Sequence, residues 1–164
     1  MKTILILRHA KSSWDNLQLS DHDRPLKKRG KRDAPRMGKL LLDEGLLPQL
    51  IISSSAKRAL STAELVANAC DYSGEILTTR SFYHADPETY LSYLNKTDND
   101  LQIVMIVGHN PGIEDLVSTF TGHYERMPTA ALAQIELLID SWLQLDSTTP
   151  AELVNLWRPK ELTY

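Results

Sequence analysis

Thr3-Ile4-Leu5-Ile6-Leu7, followed at once by Arg8-His9-Ala10-Lys11-Ser12-Ser13-Trp14, is the stretch on which the reading of this chain turns. Four consecutive aliphatics, β-branched at alternate positions, predict a short strand buried on both faces, as in a parallel sheet. The strand stops at an arginine and a histidine. Open α/β sheets bind ligands beyond the carboxyl ends of their strands, so Arg8 and His9 are aimed at a crevice.

The composition narrows what that crevice serves. With 164 residues the chain is expected to fold as one domain, 1–164, with a core large enough to need no staples. A single cysteine, Cys70, excludes a disulfide framework, and its setting late in a helical pattern reads as buried packing. No apolar run approaches the roughly 18 residues of a membrane span, and the N-terminal aliphatics are too few for a signal peptide, so a cytoplasmic setting without membrane contact is expected. The net charge of −3 argues against nucleic acid as the main partner. Locally, Arg24, Lys27, Lys28, Arg29, Lys31, Arg32 and Arg36 crowd cations together. Most read as a solvated helix face; the functional reading is an electropositive rim that steers anions inward, to which only Arg24, ahead of the helix, is placed to contribute directly.

Along the chain, Asp15 to Arg24 reads as a loop, and a helix is predicted from about Lys27 to Glu44, kinked at Pro35 and stopped by Gly45. Leu50-Ile51-Ile52 is the next strand, ending at Ser53-Ser54-Ser55, any of which can cap a helix whose apolar face runs Leu60, Ala63, Val66 or Ala67, and Cys70. Glu75 to Thr79 is a weaker strand. Asp86-Pro87 reads as an N-cap and first helical proline, opening a helix that buries Tyr90, Leu91 and Leu94. Ile103 to Val107 is the strongest strand; after it, Asn110 is expected to cap and Pro111 to start a helix bearing Ile113, Leu116, Val117 and Phe120, closed by Gly122. Ala131–Ile139 and Leu153–Trp157 are expected to pair antiparallel at one side of the sheet. The alternation gives an α/β domain: a three-layer α/β/α sandwich around a mostly parallel sheet with an antiparallel C-terminal strand pair.

Three strand ends then carry the unusual residues: Arg8 and His9, Ser53 to Arg58 at a helix start, and Gly108-His109 at another. If these strands are parallel, both arginines, both histidines and two helix N-termini converge, which describes a phosphate site. Each piece alone reads as an ordinary surface or capping residue; the coincidence gives it meaning. The five histidines, at 9, 22, 84, 109 and 123, show no metal-ligand spacing, and no metal or cofactor is expected. His22, His84 and His123 are expected in loops with structural roles, the alternative being that His84 and Tyr83, which follow the third strand, line the rim; Trp14, Trp142 and Trp157 are expected in packing, with Trp14 near enough to His9 to touch a ligand.

Arg8-His9 after an aliphatic strand, Ser53-X4-Arg58 with Thr62-Ala63 beyond, and Gly108-His109-Asn110 after another strand resemble the histidine phosphatase, or phosphoglycerate-mutase-like, superfamily. Leu7 to Trp14, Arg24-Pro25-Leu26 with Arg29-Gly30, and Gly108-His109-Asn110-Pro111-Gly112 are similar to its small bacterial branch, the phosphohistidine phosphatases. The resemblance implies a metal-independent phosphatase in which His9 is the nucleophile and is transiently phosphorylated, Arg8 and Arg58 clamp the phosphoryl oxygens, and His109 donates a further hydrogen bond. Ser12 and Arg24 would complete the cradle. Ala10 replaces the family's usual glycine. Larger relatives place a carboxylic general acid after the third strand; here Asp86 is better explained as a cap and Glu88 as a first-turn carboxylate, so neither is assigned that role. The expected substrate is a phosphorylated protein, as phosphohistidine, whose imidazole leaves without a strong acid. The alternatives are a small phosphate ester with Asp86 or Glu88 as the acid, or a regulatory module that binds phosphoproteins without turnover.

Overall fold

Six strands form one sheet: β1 (Lys2–Arg8), β2 (Leu50–Ser54), β3 (Ile76–Thr79), β4 (Ile103–Gly108), β5 (Leu132–Leu137) and β6 (Ala151–Trp157). In the computed structural model, which describes residues 1–163, their order is β3-β2-β4-β1-β5-β6. β1, β2, β3 and β4 run parallel, β5 is antiparallel to β1, and β6 is antiparallel to β5. The α/β reading, mostly parallel with an antiparallel C-terminal pair, therefore holds.

Helices α1 (Lys28–Glu44), α2 (Lys57–Ala69), α3 (Pro87–Asn95) and α4 (Gly112–Thr121) cover the sheet. Side chains alternate across a strand, so Ile4 and Ile6 join Tyr90, Leu116 and Phe120 in one core while Leu5 and Leu7 join Met37, Leu41 and Val66 in the other. All four β1 aliphatics are fully buried. Two cores on opposite faces explain why the strand shows no polar alternation.

Several helix ends follow local chemistry. Gly45 and Gly122 adopt the left-handed conformation, with φ of 68° and 81°, that stops α1 and α4. The Asp86 carboxylate accepts from the Thr89 N–H at 3.0 Å, with Pro87 opening α3. Other expectations are corrected. No serine caps α2: Ser53 and Ser54 extend β2, and Ala56 is the N-cap without a side-chain hydrogen bond. Leu60 is only half-buried, and Ala59 takes its place in the core. Asn110 does not cap α4; its amide donates to the Met127 carbonyl at 2.9 Å, and α4 starts at Gly112. His22 sits in a one-turn 3-10 helix, Asp21–Asp23, within the expected loop. No helix among the described residues is long and apolar enough to cross a membrane.

Candidate active site

β1 and β4 are neighbours in register, Arg8 opposite Gly108, so the residues that follow each strand emerge side by side. The His9 N–H donates to the Gly108 carbonyl at 3.1 Å. The His9 and His109 rings consequently lie with centroids 5.0 Å apart. β2, on the other side of β4, delivers Ser54, and the first turn of α2 delivers Arg58. The three strand ends do converge: a cavity of about 260 Å³ is lined by Arg8, His9, Ser12, Arg24, Arg58 and His109, with Lys11, Trp14, His84, Asn110 and Thr129 at its edges.

The His9 Nδ1 lies 2.8 Å from the Ala10 carbonyl oxygen. A carbonyl only accepts, so Nδ1 carries the proton and the Nε2 lone pair is left free. Burial, reinforced by the charges of Arg8, Arg58 and Arg24, pushes His9 down to about 3, so the ring is neutral at ordinary pH. Burial likewise lowers His109, to about 2. Its Nε2 is 2.8 Å from Ser54 Oγ, which already accepts from the Ala56 N–H at 3.2 Å. The Ser54 hydroxyl proton is therefore available to Nε2, and a proton then falls on His109 Nδ1, which is buried and has no partner among the described residues. Arg8 Nε is buried and unpartnered too, while Arg8 Nη1 is tied to the Met127 carbonyl at 3.1 Å. Two orphaned donors beside a free imidazole lone pair match an anionic ligand with several acceptor oxygens.

The other arginines are held by an acid that the sequence did not single out. Asp21 accepts from Arg24 Nη1 and Arg58 Nη2, each at 3.0 Å, and from the Tyr83 hydroxyl. That hydroxyl first, then the two guanidinium groups, hold the Asp21 carboxyl far below the usual carboxylate range. Arg24 also donates to the Ser13 carbonyl at 3.0 Å and to Ser12 Oγ at 2.7 Å, which leaves the Ser12 proton free to donate. Thr62 accepts from the Ala10 N–H at 2.9 Å and donates to the Arg58 carbonyl at 2.7 Å, linking the loop after β1 to α2. Thr62-Ala63 was visible as a motif, Tyr83 was read only as a rim residue and Ser54 only as a possible helix cap, and Asp21 carried no signal beyond its residue type.

Trp14 is 61% exposed rather than packed, its ring stacked under the Arg24 guanidinium at the cavity mouth. His84 lines the same mouth, its ring against Tyr83. Asp86 and Glu88 do not line the cavity: the first is the cap of α3 and the second is exposed on that helix. No carboxylate lines it at all among the described residues. Nor, among them, is any group of three or more His, Cys, Asp or Glu placed to hold a metal ion.

Comparison with known proteins agrees with this geometry. Residues 4–81 match the model of the histidine phosphatase superfamily, branch 1. An uncharacterised chloroplast protein of Arabidopsis thaliana is 34% identical over 150 residues, which cover 86% of this chain and 69% of that protein. A 2,3-bisphosphoglycerate-dependent phosphoglycerate mutase of Streptomyces avermitilis is 40% identical over 70 residues, only 28% of its length. The solved structure of an Agrobacterium tumefaciens protein assigned as a phosphohistidine phosphatase, SixA, superimposes with a TM-score of 0.83 at 28% identity, covering 96% of this chain and 98% of that one. A SixA complexed with tungstate shares the fold at the same TM-score and 21% identity. With its matching family motifs, fold and clustered arginines and histidines, the chain belongs to the histidine phosphatase superfamily and is a phosphatase.

Proposed function

We propose that this phosphatase removes phosphoryl groups from phosphohistidine on proteins, through a covalent intermediate on His9 and without a metal. The observation that carries the substrate reading is the cavity itself: it presents a neutral nucleophile and many fixed donors, but no carboxylic acid to protonate a leaving oxygen. A phosphate ester must expel an alkoxide and needs that proton. An N-phosphorylated imidazole expels neutral imidazole when its other nitrogen is protonated. The open mouth, edged by Trp14, His84 and Thr129, suits a phosphoryl group carried on a protein.

In the first step the His9 Nε2 lone pair forms a bond to phosphorus as the bond to the leaving nitrogen breaks. The charge spread over the equatorial oxygens is met by Arg8, Arg58 and, from the loop, Arg24. His109 Nδ1–H and the Ser12 hydroxyl donate to the same oxygens. In the second step water attacks phospho-His9, its proton passes to the departing phosphate, and neutral His9 is regenerated. Arginine charge takes the part that metal ions take elsewhere.

The test is to incubate the protein, in chelator, with a phosphoramidate donor and separately with an aryl phosphate, and to look for acid-labile phosphate on wild type and His9→Ala. Label on wild type alone, with faster turnover of the phosphoramidate, is expected. Equal or better turnover of the aryl ester would replace the substrate reading with that of an esterase; phosphate bound but never transferred would leave a binding module.

A further inference from the structure

The segment from Arg126 to Ala130 has a different neighbourhood on each side. Toward the active site, Ala130 N–H donates to the Arg8 and His9 carbonyls and the Met127 carbonyl holds Arg8. On its far side is a second cleft, of about 270 Å³, lined by Arg29, Arg32 and Arg36 of α1 together with Arg126, Arg158 and Lys160. Thr129 lines both cavities, so the cleft adjoins the active-site mouth. The sequence alone favoured a solvated helix face here for most of these cations, with an anion-steering rim as the other reading; the fold adds three cations from the distant C-terminal third.

The charges in the cleft are only partly offset. Asp33 pairs with Arg32 and Arg36 at 3.4 and 3.0 Å, and Arg158 pairs with Glu125 and Glu161. Arg29, Arg126 and Lys160 have no carboxylate partner among the described residues. Arg36 Nε is buried without a hydrogen-bond partner. This concentration of uncompensated positive charge stands on a chain whose net charge is −3. Such a patch beside a reaction centre attracts a complementary surface and fixes its register.

We infer that the cleft of Arg29, Arg126 and Lys160 docks an acidic, Asp- or Glu-rich segment flanking the phosphohistidine of the substrate protein. The inference rests on the phosphoprotein reading above and extends it to partner choice. A shared wall at Thr129 puts the acidic side chains within a few residues of the phosphoryl group, since extended chain advances about 3.3 Å per residue. Binding by exposed charges is screened by salt.

The experiment uses His9→Ala protein, which cannot turn substrate over, with and without the added changes Arg29→Glu, Arg126→Glu and Lys160→Glu. Binding of labelled phosphohistidine peptides with Glu-rich or Gln-rich flanks, and of the unphosphorylated Glu-rich peptide, is followed by anisotropy at low and at 0.5 M salt. The Glu-rich peptides are expected to bind about tenfold more tightly than the Gln-rich one to the parent protein, with the preference lost in the triple variant and at high salt. With His9 intact, the triple variant is expected to hydrolyse a small phosphoramidate at the parent rate, which shows that its fold and reaction centre survive. No flank preference in the parent, or a preference the triple variant keeps, overturns the proposal. So does tighter binding of an RNA oligomer of equal charge, which would make the cleft a nucleic-acid surface. Because the unphosphorylated peptide reports on the cleft by itself, failure to hydrolyse phosphohistidine would overturn the substrate reading and leave the docking result to be judged separately.

Discussion

Arg58 donates through Nη1 to the Asp21 carbonyl oxygen at 2.6 Å and through Nη2 to the Asp21 carboxylate at 3.0 Å, which fastens the first turn of α2 to the loop after β1. The same carboxylate holds Arg24, so one acid sets the positions of two cations at the cavity. Asp21 is a positioning residue: it does not line the cavity itself.

Asp21→Ala is therefore expected to lower kcat/KM by about 10- to 100-fold, because misplacing the clamp by an ångström is that costly. Its effect on stability should stay within about 1 kcal/mol, since the side chain is more than a third exposed. Asp21→Asn, which keeps acceptor geometry for one guanidinium, should fall between. Steady-state kinetics alongside urea unfolding decides it; a kinetic loss matched by unfolding would deny Asp21 this role.

Removing His9, the proposed nucleophile, is a sharper test. His9→Ala should lower kcat by about 10³-fold or more and abolish acid-labile phosphate on the protein. Ser54→Ala should leave that label but slow its formation, because His109 Nε2 loses the hydroxyl that fixes its tautomer.

Thr62→Val probes the brace under the proposed nucleophile. It strands the buried Ala10 N–H and should cost about 1–3 kcal/mol in urea unfolding, with kcat falling as well because the Ala10 carbonyl accepts the hydrogen bond from His9 Nδ1–H.

Stability should fall in acid over a defined window. His9 and His109 are held neutral in the fold, near 3 and 2, while unfolded histidine titrates near 6.5. Below about pH 6.5 the unfolded chain binds more protons than the folded one, so unfolding free energy drops as pH falls, at up to about 1.4 kcal/mol per pH unit for each histidine. The contribution is fully present above pH 6.5. Replacing both histidines with Gln should flatten the profile between about pH 6.5 and 4, measured by urea midpoint; an unchanged profile would show that neither titrates as described.

Gly30 packs against the loop that carries Ser12: a Cβ there would collide with the Lys11 carbonyl. Gly30→Ala should cost about 1–3 kcal/mol by overpacking and raise KM by displacing Ser12 and Arg24. Thermal unfolding and KM together check this.

The sequence by itself determined the elements whose signals are local. β1 and β4 are legible as unbroken apolar runs because both faces of each strand are buried, and α3 as Asp86-Pro87 because a cap and a first-turn proline act within one helical turn. The grouping of Arg8, His9, Arg58 and His109 was also legible, since each lies at a strand end or in the first turn of the helix after it. Tertiary structure alone decided the rest. Asp21 meets Arg58 across 37 positions and Tyr83 across 62, and Ser54 meets His109 across 55. Likewise, Arg126, Arg158 and Lys160 join the α1 arginines only once β5 and β6 have been laid beside β1. A polar side chain in a loop has no periodicity to betray its partner: hydrogen bonds and ion pairs are chosen by distance in space, which only the packed sheet and helices set.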